Sequence, residues 1–240
     1  METTRRIYLI DEKEREKEIN KVLEEYDNIL DLYSKKKYPV DISDRFTETI
    51  INNEQRNEII KKVGFTLITD NLLYNLSNLL YGNKCLEIMS GNGSLTKGLQ
   101  DYGVDILATD NYEMADFFNN DFWTEVENID AVDAIDKYGK DVNFVICSWI
   151  PYYKPIGYQA IKKLYEVNPK AVFIYIGEEM GGCTADDNFF NYSSEISFSE
   201  KMKIDYDNIN KISNSLKNWC GMYAKIKFLR YNGKDVKIYR

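Results

Sequence analysis

No histidine occurs anywhere in the 240 residues. Its absence excludes Ser/His/Asp and Cys/His nucleophilic arrangements, a histidine general base and nearly all catalytic zinc sites. Chemistry in such a chain falls to carboxylates, tyrosines, lysines, backbone groups or a reactive cofactor. Cysteine is also scarce. Cys85, Cys147, Cys183 and Cys220 show no Cys-x-x-Cys spacing, so they read as reduced thiols; Cys85 and Cys147, inside apolar runs, act as small hydrophobes. No segment approaches the roughly eighteen apolar residues of a membrane span. Residues 1–13 are charged and lack an apolar core, so a cytoplasmic location without a membrane partner is expected. Basic charge is short as well: 31 Lys and Arg against 39 acids give a net charge of −8. With a pI near 4.9 the chain as a whole repels a polyanion, which argues against a nucleic-acid partner. The basic cluster Lys35-Lys36-Lys37 reads as a helix cap or a solvated patch. Nothing in the residues fixes an oligomeric state.

What is present is material for a sizeable core. Hydrophobic residues make up 44% of the chain and aromatics 14%, enough for one large domain or one domain with an appendage. Ile19, Val22, Leu23, Tyr26, Ile29, Leu30 and Tyr33 recur at helical spacing, which predicts an amphipathic helix over 11–33. Pro39 breaks it, and Asp44 is placed to cap a further helical segment running through Ile51 to Asn52-Asn53. The leucine stripe of 70–81 predicts another helix, stopped by Gly82 and Asn83. From Lys84 the pattern changes. Strand-like runs at 85–89, 105–109, 143–148 and 171–177, with a weaker one at 126–129, alternate with helical segments at 95–102, 131–138 and 158–167. That alternation is the signature of a parallel sheet covered on both faces. Asn232-Gly233, between alternating runs at 223–230 and 236–239, is a strong local hairpin signal. There is no internal repeat or low-complexity linker.

The most informative stretch is Leu86-Glu87-Ile88-Met89-Ser90-Gly91-Asn92-Gly93-Ser94-Leu95. It reads as a short strand, a glycine turn and the start of a helix. Such a turn lets a ligand lie almost against the backbone, with the first amides of the helix facing the same crevice. Asp110 closes the next strand. The dinucleotide fingerprint is incomplete, because Thr96 stands where Gly-x-Gly-x-x-Gly needs its third glycine.

Over residues 84–240 the chain resembles the class I S-adenosylmethionine-dependent methyltransferases, in a poorly characterised branch. The resemblance implies an α/β Rossmann-like three-layer sandwich. Its mostly parallel seven-stranded sheet ends in an antiparallel hairpin, and residues 1–82 form an N-terminal helical cap over the domain at 83–240. S-adenosyl-L-methionine is the implied cofactor. Glu87, Met89, Gly91 and Gly93 would lie beneath its methionine part, with Met89 where the family commonly has glycine. Asp110, with Asn111 beside it, would accept its ribose hydroxyls. Asp130-Ala131 resembles the acid-small pair beside the adenine, though an aspartate there is equally suited to cap a helix. Ser148-Trp149-Ile150-Pro151-Tyr152 looks like a divergent form of the Asp/Asn-Pro-Pro-Tyr segment that holds a nitrogen acceptor, with only Pro151 and Tyr152 in register.

These readings make Ser148, Trp149 and Tyr152 candidates for lining the acceptor pocket. Glu178 is a candidate to orient the acceptor or take its proton, with Glu179 beside it in the acid- and glycine-rich loop after the fifth strand. A required metal is not expected: Asp187-Asn188 resembles part of a magnesium site of catechol-type enzymes, but Ser148 and Trp149 stand where its other acid belongs. The expected function is methyl transfer to an oxygen or nitrogen of a small molecule. The alternatives are a binding module that has lost transfer, or transfer to nucleic acid or protein.

Overall fold

The computed structural model describes residues 12–49, 51–196 and 206–233. Four helices come first: α1 (Glu12–Ser34), α2 (Asp44–Glu48), α3 (Asn53–Val63) and α4 (Asp70–Leu80). The α/β part follows as β1 (Lys84–Ile88), α5 (Ser94–Asp101), β2 (Asp105–Asp110), β3 (Val126–Asn128), α6 (Ala131–Tyr138), β4 (Phe144–Ser148), α7 (Ile156–Val167) and β5 (Val172–Gly177). It is completed by α8 (Asp187–Tyr192), β6 (Ser193–Glu195), α9 (Tyr206–Ser215) and β7 (Lys225–Tyr231).

The strands form one seven-stranded sheet in the order β3-β2-β1-β4-β5-β7-β6, parallel from β3 to β5 and antiparallel where β7 meets β5 and β6. This is the expected α/β architecture. The order reverses between β1 and β4, so a crevice opens at their carboxyl ends, the usual ligand position in open α/β sheets. Alternating residues of each strand feed two apolar layers. Phe144 and Ile146 of β4 pack with α4, α5 and α9, while Val145 and Cys147 pack with α6, α7 and α8. Helices α1 and α3 extend the first of these layers through Val22, Ile29, Tyr33, Ile59 and Ile60. One apolar core therefore runs from the N-terminal helices into the sheet.

One local expectation is corrected, one lies partly outside the described residues, and three short elements are added. The segment after Pro39 is two helices: Ser43, not Asp44, caps α2 by accepting from the Phe46 amide, and Asn52 caps α3 anew by accepting from Gln55. A short polar side chain that can take the cap favours starting a helix over continuing one. The antiparallel end of the sheet pairs β7 with β6, which lies upstream across a long excursion; the run 236–239 expected to pair across Asn232-Gly233 lies outside the described residues. Helices α8 and α9 and the three-residue β6 were not anticipated, being short and, in α9, low in mean hydropathy.

Candidate cofactor and acceptor cavity

At the carboxyl edge of the sheet lies a cavity of about 490 Å³, within the roughly 300–1,000 Å³ typical of small-molecule sites. Two walls of different origin enclose it.

The first wall is the turn between β1 and α5 with the end of β2. Glu87 is 2% exposed. Its Oε2 accepts from the amide of Thr96 at 3.0 Å and from the Thr96 hydroxyl, while among the described residues none donates to Oε1. Burial pushes its carboxyl up to about 7, against the Thr96 hydrogen bonds and with repulsion from Asp110 added. Asp110 ties the turn down: Oδ2 accepts from the Gly91 amide at 2.9 Å and Oδ1 from the Tyr112 amide at 2.7 Å. Burial raises its carboxyl too, opposed by those two amides.

The glycines are needed where they stand. Gly91 has φ +58, and a Cβ there would sit 3.2 Å from the Phe118 ring. Gly93 has φ +74, and its Cβ would lie 2.8 Å from Val126. Met89 also takes the left-handed conformation, φ +52, at the position where the resemblance led one to expect glycine. Holding a side chain there costs about 1 kcal/mol or more. Asn111 turns its Oδ1 to the Glu113 amide, and Asp130 caps α6 through the Val132 amide; both still border the cavity, as does Ala131.

The second wall is a strap, residues 64–69, that runs between α3 and α4 across the edge of the sheet. Side chains distant in sequence hold its carbonyls and those that lead into it. Lys62 O accepts from Asn92 Nδ2 and Trp123 Nε1, both at 2.7 Å. Val63 O accepts from the Ser94 hydroxyl at 2.9 Å, Phe65 O from Trp219 Nε1 at 2.9 Å and Ile68 O from the Tyr33 hydroxyl at 2.8 Å. The strap meets the end of β4 where the Thr66 and Ser148 hydroxyls share a hydrogen bond of 2.6 Å. Phe65 lies against Trp149, ring centroids 5.5 Å apart at 33°. Trp149 is a second left-handed residue, φ +56, and its Nε1 is sealed without a protein partner. A Lys154–Glu113 ion pair joins the two loops at the mouth.

Of the residues singled out from sequence, Glu87, Met89, Gly91, Asp110, Asn111, Asp130, Ala131, Ser148 and Trp149 border this one cavity. Gly93 stands just behind it as the N-cap of α5. Tyr152, Glu178 and Glu179 do not line it. Tyr152 stacks on Tyr153 at the surface, ring centroids 3.7 Å apart. Glu178 is a clamp: Oε2 accepts from the Cys183 amide at 2.8 Å and Oε1 from the Tyr223 amide at 3.0 Å. Burial pushes its carboxyl up, but those donors and the Arg56 charge outweigh it and leave it below the ordinary range. Glu179 is held down to about 2 by Lys225 and Lys227. Asp186 and Asp187 belong to the start of α8, where Asp186 caps the helix through the Phe189 amide. Sequence reasoning missed Phe65, Thr66, Asn92 and the strap. The only signal was the run Gly64-Phe65-Thr66-Leu67-Ile68-Thr69, apolar yet bounded by a helix-ending glycine and a helix-capping threonine.

No family model matches the chain, and no curated protein matches its sequence. Solved structures with a related fold include a SAM-dependent methyltransferase from Archaeoglobus fulgidus, at 13% identity, covering 67% of this chain and 91% of that one with a TM-score of 0.40. TehB from Haemophilus influenzae is 14% identical, covering 73% and 66% with a TM-score of 0.41. Magnesium protoporphyrin IX methyltransferase from Synechocystis PCC 6803, solved with bound SAM, is 13% identical, covering 77% and 87% with a TM-score of 0.42. Likeness this distant carries no argument about chemistry, which rests on the cavity itself.

Proposed function

We propose that the chain is an enzyme that binds S-adenosylmethionine and transfers its methyl group to an oxygen or nitrogen of a small molecule. The observation that carries this reading is the convergence of Glu87, the Ser90–Gly93 turn and Asp110 on one cavity wall. The residues suit the cofactor: Gly91 takes the left-handed turn with its backbone bordering the cavity, and among the described residues Ser90 Oγ is buried without a partner and Glu87 Oε1 receives no hydrogen bond. Glu87, Gly91, Asp110 and Asn111 would hold it, with Asp130 and Ala131 along the same wall. When bound, the cofactor supplies a methyl on sulfonium sulfur, and the sulfur keeps the bonding electron pair as the methyl leaves.

The protein's own work is then to align the acceptor, exclude water and receive a proton. Ser148 is the acceptor-handling residue that borders the cavity, and its hydroxyl pair with Thr66 can pass the acceptor's proton to water at the mouth. Trp149 walls the same side. Tyr152 adjoins Pro151 of the lining, and Glu178 acts at one remove by tying the loop at Cys183 to the one at Tyr223. On this reading the first 82 residues serve as the cap and supply the strap. A second reading, a module that binds the cofactor without transfer, draws support from Tyr152 lying outside the cavity.

Calorimetric titration with S-adenosylmethionine, S-adenosylhomocysteine and NAD tests the proposal. Saturable binding of the first two is expected, weakened about 10- to 100-fold in Asp110→Ala as charge-assisted hydrogen bonds are lost. Circular dichroism should show that the variant keeps its fold. Binding of NAD alone, or no binding, removes both readings; binding with no transfer to any acceptor favours the second.

A further inference from the structure

The strap side of the cavity differs in chemistry from the carboxylate side. Its surfaces are mostly rings and branched chains, Phe65, Trp149, Pro151, Pro155 and Ile156, with the Gln159 amide beside them. Its charges, Lys154 and Glu113, close on each other. An ionised group placed deeper, among the rings, would lose water with no charged partner among the residues named there, which is unfavourable, whereas the Lys154–Glu113 pair lies in solvent at the mouth. The polar feature at the seam is the Thr66–Ser148 hydroxyl pair, with Thr66 4% exposed. Two hydroxyls that share one hydrogen bond retain one proton and spare lone pairs, enough to receive a single hydroxyl from a ligand.

Phe65 is the unusual residue. It is 38% exposed, although its backbone is fixed by Trp219 and its ring is braced on Trp149. A large apolar ring braced on a neighbour at the wall of a cavity is a ready contact surface, and placing it against a ligand costs less than ordering a free side chain.

We infer that the strap side is an acceptor subsite for flat, uncharged aromatic molecules bearing a hydroxyl, with Phe65 as its specificity-determining residue. The ligand's ring lies against Phe65 and the proline rings, and its hydroxyl meets the Thr66–Ser148 pair. This rests on the methyltransferase reading and narrows its acceptor. Phe65 makes no bond to the reacting atoms and acts by shape.

The test uses the full chain saturated with S-adenosylhomocysteine and three probes of similar outline: 2-naphthol, decahydro-2-naphthol, which is not flat, and 2-naphthoate, which is charged. Calorimetry should show 2-naphthol binding at least about 10-fold more tightly than either of the others. Phe65→Ala and Phe65→Leu should each weaken 2-naphthol by about 10-fold or more while leaving the S-adenosylhomocysteine affinity unchanged. The leucine variant keeps apolar bulk without the ring, so its loss isolates flatness, and unchanged cofactor affinity shows that both variants are folded. Equal or tighter binding of the decahydro or carboxylate probe overturns the inference. So does 2-naphthol affinity that ignores Phe65, or no 2-naphthol binding by a protein that does bind S-adenosylhomocysteine. Failure of S-adenosylhomocysteine itself to bind is read in the preceding titration and overturns the cofactor reading, and the acceptor inference with it.

Discussion

The two walls of the cavity are built in opposite ways. The carboxylate wall comes almost entirely from one continuous strand-turn-helix-strand stretch, 84–110, and its key contacts, Gly91 to Asp110 and Thr96 to Glu87, span 19 and 9 residues. The strap wall is drawn together from far apart: Thr66 meets Ser148 across 82 residues and Phe65 meets Trp219 across 154. The first wall is polar, buried and electrostatically loaded. The second is apolar and held from behind through its carbonyls. A binding surface can thus be specified locally where backbone must approach a ligand closely, and non-locally where only shape is required.

The sharpest way to separate the walls is pH. Glu87 has an ordinary value of 4.5 and is pushed up to about 7 by burial, so its ionisation opposes folding. The stability linked to the protonated form is fully present below about 4.5 and is lost as pH rises to about 7, a decline of roughly 3 kcal/mol. Glu87→Gln should flatten that decline in urea unfolding at pH 5 and pH 8. Parallel pH profiles for the parent and the variant would show that the first wall is not electrostatically loaded.

A smaller effect probes the strap. Trp219→Phe removes the donor to the Phe65 carbonyl and is expected to cost about 1–2 kcal/mol. Because Asn92 and Ser94 of the first wall still hold the strap through the Lys62 and Val63 carbonyls, S-adenosylmethionine affinity should not change in this variant. A loss of cofactor binding would mean that the strap and the carboxylate wall move together. The smallest effect is expected at the turn itself: Met89→Gly relieves a left-handed side chain but gives up packing and adds chain entropy. The net change in thermal unfolding should stay within about 1 kcal/mol. A larger loss would make Met89 a packing residue first.

The same contrast explains what the sequence revealed. The strands and helices from Lys84 to Gly177 were legible because period and punctuation agree there, and Glu87, the glycines and Asp110 drew notice because their types and spacing stand out in one short stretch, which the structure places at one edge of the cavity. The strap was not, since a lone phenylalanine and threonine have no distinctive spacing and matter only through partners 82 and 154 residues away. The place of Glu178, outside the cavity lining, was not legible for a related reason. An acid at a strand end looks the same in sequence whether it faces a cavity or, as here, caps two backbone amides.

The position of β7 bears on the order in which the molecule is made. It enters the sheet between β5 and β6 although it is the last described strand of the chain. During synthesis, β5 emerges with one edge unpaired and keeps it so until residues 225–231 have left the ribosome, a window in which that edge is open to wrong partners. Trp219 arrives in the same final stretch. The nascent protein therefore has its carboxylate wall before the Phe65 carbonyl is anchored. The carboxylate side of the cavity is available to form while the strap side still waits for residues 219–231.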